Sequence, residues 1–408
     1  MADRSALRLQ LTVFTSTLDR FAMPPVLLAI SRDLDVPLPS VVASAGVYYV
    51  AYGAMQPVWG MVSDRLGRVR TLRLTLLLAA VATAASATVQ DVAGLTIARG
   101  IAGGLFGAAV PTCLIYVGDT VPTARRQQEV TRLLVGVAVG TALAAVGAGT
   151  LAQVASWRLA FALTGACALV LVVLLRTLPE PPARPRQSLL APLRQVASSR
   201  VALLVLLLSF VEGIVLLGTL TLLPSAVESA GSSTALAGAV TAAYGLAVLV
   251  FAPLVGRLSA HWPVWRLIAV GGVAAVAGCA TVALSQRAPV ATAAAVLLGL
   301  AWAAMHSSLQ TWATQAMPAA RATMVSLFAG SLFAGSAVAS AVLAGPAGDD
   351  RFGVVFGWLA VLAVPLAVAG GSGRARWRPP PDPAADGAAS VHTGPAGPNG
   401  PNSPTGPA

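Results

Sequence analysis

The chain has 408 residues, of which 56% are hydrophobic and only 10% charged, where an ordinary soluble domain carries about 25% charged residues. So little charge cannot cover the surface of a soluble protein this long, and the apolar residues fall into runs of about 20, enough to cross a ~30 Å hydrocarbon layer as a helix. The net charge is +11 and all 26 basic residues are Arg; without Lys there is no Gly-x-x-x-x-Gly-Lys-[Ser/Thr] loop, so ATP-driven transport by this chain alone is excluded. The predicted elements are helical spans at roughly 9–31, 41–61, 71–90, 92–117, 129–153, 157–176, 202–225, 235–256, 265–286, 290–315, 323–345 and 352–371. Alternate loops plus both termini hold most of the arginines, among them Arg65, Arg68, Arg70, Arg73, Arg125, Arg126, Arg257 and Arg321; the opposite loops hold only Arg32, Arg158, Arg287 and Arg351. The positive-inside rule therefore predicts cytoplasmic termini, and it explains the basic balance without a nucleic-acid partner.

In chain order, span one carries Asp19 and Arg20 in "TSTLDRFAMPP", with Thr12, Ser16, Asp19 and Met23 on one helical face. The loop after span two reads "GMVSDRLGRVRTLRL" and collects one Asp and four Arg. Asp64 and Arg68 are four apart, a spacing at which they can meet on one helical face. Span four carries Arg99, span seven Glu212 and span ten His306. Ionisable groups inside spans are costly and mark function or a static buried ion pair. Gly136, Gly140 and Gly149 punctuate span five, and close helix packing is one reading of them. Residues 177–200, beginning "TLPEPPARPRQ", read as a linker, and the Pro-, Gly- and Ala-rich segment 372–408 as a disordered tail. In span ten, Trp302, His306 and Gln310 fall at i, i+4 and i+8, which makes either a cavity wall or a hydrogen-bonded helix interface. Cys113, Cys167 and Cys279 sit singly in apolar runs, with no metal-ligand spacing.

The halves are alike at an offset of 196 residues: Tyr48 matches Tyr244, Pro57 matches Pro253, Gly60 matches Gly256 and Ser63 matches Ser259. "VPTARR" matches "MPAARA" at the same offset. The expected fold is all-α: about twelve transmembrane helices in two pseudo-symmetric six-helix bundles, 1–176 and 201–371, joined by the linker. Arg8 and Arg200 mark the entries to spans one and seven, so Asp19 and Glu212 are expected roughly 16–18 Å deep, near the midplane.

Gly60, Asp64, Arg65, Gly67 and Arg68 resemble the loop signature of the major facilitator superfamily, Gly-x-x-x-Asp-Arg-x-Gly-Arg between spans two and three. In the second half Ala260 stands where the Asp would be and Pro263 where the second Gly would be. "LTIARGIAGG" resembles the family's fourth-span motif, whose Arg, here Arg99, is linked to proton coupling. "GVAVGTALAAVGAG" resembles a fifth-span motif of exporters, with Ala145 replacing its usual Pro, and "TSTLDRFAMPP" resembles the first span of drug:proton antiporters. The resemblance implies two bundles rocking about a central cavity. A small organic molecule would be exported by proton antiport, with no cofactor beyond the coupling proton. The alternatives are a proton symporter or facilitator for uptake, and a non-transporting sensor of the same fold.

On this reading Asp19, Arg99, Glu212 and His306 are the proton-coupling candidates. Ser16, Arg20, Met23, Trp302 and Gln310 are the substrate-cavity candidates. The signature residues of the loop are the cytoplasmic gate. Glu212, with no basic neighbour in its own span, is expected to carry the proton, and Asp19, beside Arg20 and with Arg99 in span four, to be an ion-pair partner. No metal, enzyme activity or nucleic acid is expected. The setting is the lipid bilayer of a bacterial plasma membrane, with the protein a monomer.

Overall fold

The computed structural model describes residues 2–182 and 190–378, and among them twelve helices are long and apolar enough to cross a membrane. They are α1 (Arg4–Asp33), α2 (Leu38–Leu66), α3 (Arg68–Thr88), α4 (Val92–Thr120), α5 (Ala124–Val154), α6 (Trp157–Thr177), α7 (Arg200–Ser229), α8 (Thr234–Leu258), α9 (Val264–Leu284), α10 (Ala288–Ala316), α11 (Pro318–Gly348) and α12 (Phe352–Arg376). Turns between them are short because side chains cap the exposed helix starts. Asp91 accepts from Gly94 N at 2.8 Å, and Ser156, Ser199 and Ser233 do the same for α6, α7 and α8. The tight pair α2–α3 turns on Gly67 alone, whose φ of +102° no side-chain-bearing residue adopts without strain.

Three expectations are corrected here. The loop foreseen between spans two and three is a single-residue turn, so Asp64 and Arg68 lie on two helices and not on one helical face. A helix, Leu190–Ser198, occupies part of the linker and packs against α11, with Val196 buried. The last span continues past 371 to Arg376, which shortens the expected tail at its start. Arg184, Arg186 and residues 379–408 lie outside the described residues.

The repeat is visible in matched places: Pro57 lies inside α2 and Pro253 inside α8, and Tyr48 and Tyr244 are both buried. α2 packs along α11 and α5 along α8, so these four helices form the seam between the two sixes. A Cβ on Gly53 would meet Phe333 Cβ at 2.8 Å, and one on Gly238 would meet Ala145 O at 2.3 Å. The Ala235 N–H donates to Gln153 Oε1 at 2.9 Å, and Arg32 pairs with Glu228 at 2.5 Å. All these contacts lie between mid-span and the arginine-poor end. At the arginine-rich end, a Cβ on Gly60 or Gly256 would meet nothing within 4 Å. The molecule is thus closed across its arginine-poor end.

Candidate functional site

In the first half, Asp19 sits inside the bundle, fully buried. Its Oδ1 accepts from Arg99 Nη1 at 3.1 Å, from the Thr164 hydroxyl at 3.1 Å and from the Thr83 hydroxyl at 3.4 Å. Its Oδ2 accepts from Arg99 Nη2 at 2.8 Å, and the same nitrogen reaches the Asp19 carbonyl at 3.3 Å. Arg99, equally buried, has its guanidinium 4.6 Å from the Tyr48 ring centroid and 4.4 Å from that of Phe161. Helices α1, α3, α4 and α6 each contribute to this cluster. Both oxygens of Asp19 are thus taken up by donors, and its carboxylate is the counter-ion of the buried Arg99.

Arg20 follows Asp19 in sequence but turns about 100° away on the helix. It takes no part in that pair. Its guanidinium lies 4.8, 5.1 and 5.3 Å from the ring centroids of Phe21, Tyr52 and Phe333, so it faces the seam between the halves. Ser16 and Met23 are not available to a cavity. The Ser16 hydroxyl donates to Phe106 O at 3.1 Å and lies 3.4 Å from Tyr52 Oη, and Met23 is buried at the bend where α1 passes through the Pro24–Val26 turn. The hydrogen bond and the proline turn, both tertiary or local backbone effects, override the helical face that the sequence drew through these positions.

In the second half, Glu212 of α7 faces His306 of α10, with Oε2 3.2 Å from Nδ1. Glu212 is fully buried, while the His306 side chain is 13% exposed. Oε1 of Glu212 has no hydrogen-bond partner among the described residues. A π-helical turn starts directly after Glu212, at Gly213–Leu217, and another, Trp302–His306, ends on the histidine. Such turns widen a helix locally and are frequent at functional sites. Here the second one stacks Trp302 on His306 with ring centroids 3.9 Å apart; Phe328 lies 5.5 Å from the imidazole and Tyr244 6.4 Å from Trp302. Gln310 is partly buried one helical stretch further on. α7 can approach so closely because Gly213 and Gly335 have no side chains: a Cβ on either would fall 1.9 Å from a carbonyl oxygen of the facing helix, Leu332 O or Phe210 O.

At the arginine-rich end, Arg68 is buried and holds two acids. Its Nη2 lies 2.7 Å from Asp64 across the Gly67 turn, and its Nε lies 3.1 Å from Asp119 at the end of α4. Glu180, the lone acid of the linker, reaches back to the start of α3, where its carboxylate accepts from the Val69 and Arg70 backbone N–H groups at 3.1 Å. A carboxylate at a helix N-terminus satisfies orphan donors and meets the positive end of the dipole. Arg65 is exposed. Sequence reasoning missed Asp119 and Glu180. The available signal was that each is an acid beside an arginine-rich stretch. It also missed the opposite end, where Arg32 of α1 pairs with Glu228 of α7, and where Asp33 of α1 pairs with Arg158 and accepts from Trp157 Nε1 at 3.2 Å. Among the described residues no group of three or more His, Cys, Asp or Glu could hold a metal ion.

The family model of the Major Facilitator Superfamily matches residues 9–341. The chain belongs to this superfamily. It is similar to the 3-(3-hydroxy-phenyl)propionate transporter of Escherichia coli (strain K12), at 35% identity over 138 residues, which is 34% of each chain. It is also similar to the uncharacterized MFS-type transporter EfpA of Mycobacterium tuberculosis, at 31% identity over 131 residues, 32% of this chain and 24% of that one. The chain thus spans about a third or a quarter of the length of these relatives. The solved structure of a D-xylose-proton symporter superposes with a TM-score of 0.77 at 17% identity, over 90% of this chain and 97% of that one. A likeness at that identity concerns the fold, and it agrees with the twelve-helix architecture. The protein is a multi-pass membrane protein of the superfamily.

Proposed function

We propose that this protein is a proton-coupled secondary transporter of a small organic molecule, and that the Glu212–His306 pair carries the proton. The observation that carries the proposal is the contrast in partners. Asp19 has every oxygen committed to Arg99, Thr83 and Thr164. Glu212 has one titratable partner and one oxygen with no partner among the described residues. A Glu and a His in contact can hold one proton between them and release it without stranding a fixed charge. The pair joins α7 to α10, so a change in its protonation bears directly on how these two helices pack.

The arginine excess at one end supports a cytoplasmic location for that end and for both termini, in a bacterial plasma membrane. Closure at the opposite end then makes this an inward-facing state, with the next step of alternating access requiring separation of Arg32 from Glu228. The resemblance to antiporters favours export in exchange for protons. The site itself serves either direction, because the sign of coupling depends on whether proton and substrate occupy the same state or alternate ones. One relative is named for an aromatic carboxylic acid, which supports a small organic substrate.

The test is transport in proteoliposomes with a pH-sensitive dye. Glu212→Gln is expected to abolish substrate accumulation driven by a pH gradient while leaving exchange down a substrate gradient. Full pH-driven accumulation by Glu212→Gln would overturn the assignment.

A further inference from the structure

Arg20 is more than nine-tenths buried, and no acid among the described residues pairs with it. Its Nε has no hydrogen-bond partner. Three ring faces surround its guanidinium, one of them Phe333 from the opposite half of the molecule. Aromatic faces attract a cation but supply no negative charge, so a guanidinium held this way keeps its planar donor fork for another acceptor. Carboxylates fit that fork bidentately.

We infer that Arg20 is the receptor for a carboxylate on the transported molecule, and that the substrate is a small organic monoanion which binds together with the proton. The second clause rests on the proton-coupled reading of Glu212–His306. The first stands without it.

Joint binding follows from the charges at the centre of the molecule. The ionisable groups in the middle of the described spans are Asp19, Arg20, Arg99, Glu212 and His306, with Tyr48, Tyr49, Tyr52 and Tyr244 around them. Asp19 and Arg99 cancel within their own contact. Arg20 then contributes one positive charge. The Glu212–His306 pair contributes one negative charge without a proton and none with one. The centre is therefore neutral when the pair is empty and carries one positive charge when the pair is loaded. A monoanion restores neutrality to the loaded state. Each ligand thus favours the other, and by linkage the effect is reciprocal. One proton and one anion move in the same direction and no net charge crosses. This sign is opposite to the antiport that the sequence resemblance implies.

The rings define the rest of the ligand. Tyr52 and Phe333 meet edge to face with centroids 4.7 Å apart, beside the guanidinium. A carboxylate on Arg20 therefore has aromatic faces next to its carbon body, which suits a planar or aromatic acid over a bare inorganic anion.

The experiment uses the purified full chain in detergent and measures the melting temperature with benzoate, 3-phenylpropionate, gluconate, benzamide, 3-phenylpropionamide and glucose. At least one acid is expected to raise the melting temperature, the aromatic acids most, with the amides and glucose inert. For the acid that binds, affinity is expected to be tenfold or more higher at pH 6 than at pH 8. Arg20→Met should lose the acid response while keeping or raising the melting temperature without ligand, because it removes a buried charge that has no counter-ion. Arg20→Lys should keep a weakened response. If no acid stabilises the protein, if the amides act as well as the acids, or if Arg20→Met still responds, the receptor role is overturned. A fall in ligand-free stability in both variants would make Arg20 a structural residue and would equally overturn it. Glu212→Gln, which mimics the proton-loaded pair, should bind the acid at both pH values. If Arg20 passes and Glu212→Gln keeps the pH dependence, joint binding at this pair fails and the anion receptor stands.

Discussion

Each half buries a carboxylate completely, and the two treat it in opposite ways. Asp19 has its charge met by an arginine and two threonines, inside four helices of one bundle. Glu212 has its charge met by one imidazole, between two helices that each carry a π-helical turn. A duplicated fold can thus put a buried carboxylate to two uses. A carboxylate with fixed-charge partners holds a bundle together. A carboxylate whose partner also titrates can change its charge without breaking the bundle apart.

Stability should expose that difference most strongly. Arg99→Ala leaves Asp19 as a buried charge with no cation, an error worth about 3–5 kcal/mol, and is expected to abolish folded protein in detergent. His306→Gln keeps a hydrogen-bond partner for Glu212 and should cost less than about 1.5 kcal/mol. Thermal denaturation of the two variants side by side checks this, and equal losses would erase the comparison. Asp19→Leu combined with Arg99→Met removes both charges at once and should recover most of the stability that Arg99→Ala loses. A double variant as unstable as the single one would mean that the cluster's hydrogen bonds, and not its charges, hold the four helices.

A second contrast lies at the arginine-rich end. The first half has Arg68 between Asp64 and Asp119, whereas the second half has Ala260 at the matching place. With two acids on one guanidinium, Asp64→Asn alone should slow transport only several-fold, by weakening the join between α2 and α3 where the bundle rim moves. Asp64→Asn with Asp119→Asn should slow it far more than the product of the single effects. Initial rates in proteoliposomes read this directly, and multiplicative effects would mean that the acids act independently.

The smallest expected effect is at the arginine-poor end, where the halves meet through Arg32 and Glu228. Arg32 is 65% exposed, so the pair is worth about 1 kcal/mol or less. Arg32→Ala should therefore shift the balance of inward- and outward-open states by no more than about fivefold. Labelling of a cysteine introduced at Gly60, on the open side, follows that shift. An unchanged labelling rate would leave closure to the apolar seam of α2 with α11 and α5 with α8.

Much of the fold was legible because its signals are local. Twelve apolar runs, arginine counts and the Gly60–Arg68 signature are properties of contiguous segments, and membrane insertion depends on those. The helix ends were less legible. Gly67 makes a one-residue turn where a loop was expected, and the last helix runs on to Arg376. In the site, the buried charged residues could be named from the sequence, but the contacts between distant spans were only partly legible. Asp19 stands next to Arg20 in sequence, yet its partner is Arg99, 80 residues away; Glu212 meets His306 at a separation of 94, and the start of α3 receives Glu180 at 111.

That this chain crosses a membrane about twelve times as two related halves, and which few charged residues lie inside, is written in contiguous segments, because burial of apolar length is additive along the chain. Which of those charges are spent and which are free emerges from the packing of the helices. Adjacent side chains on a helix point about 100° apart, so which helix each one meets depends on how twelve spans pack. That packing turned Asp19 inward to Arg99 and left Arg20 at the seam among Phe21, Tyr52 and Phe333.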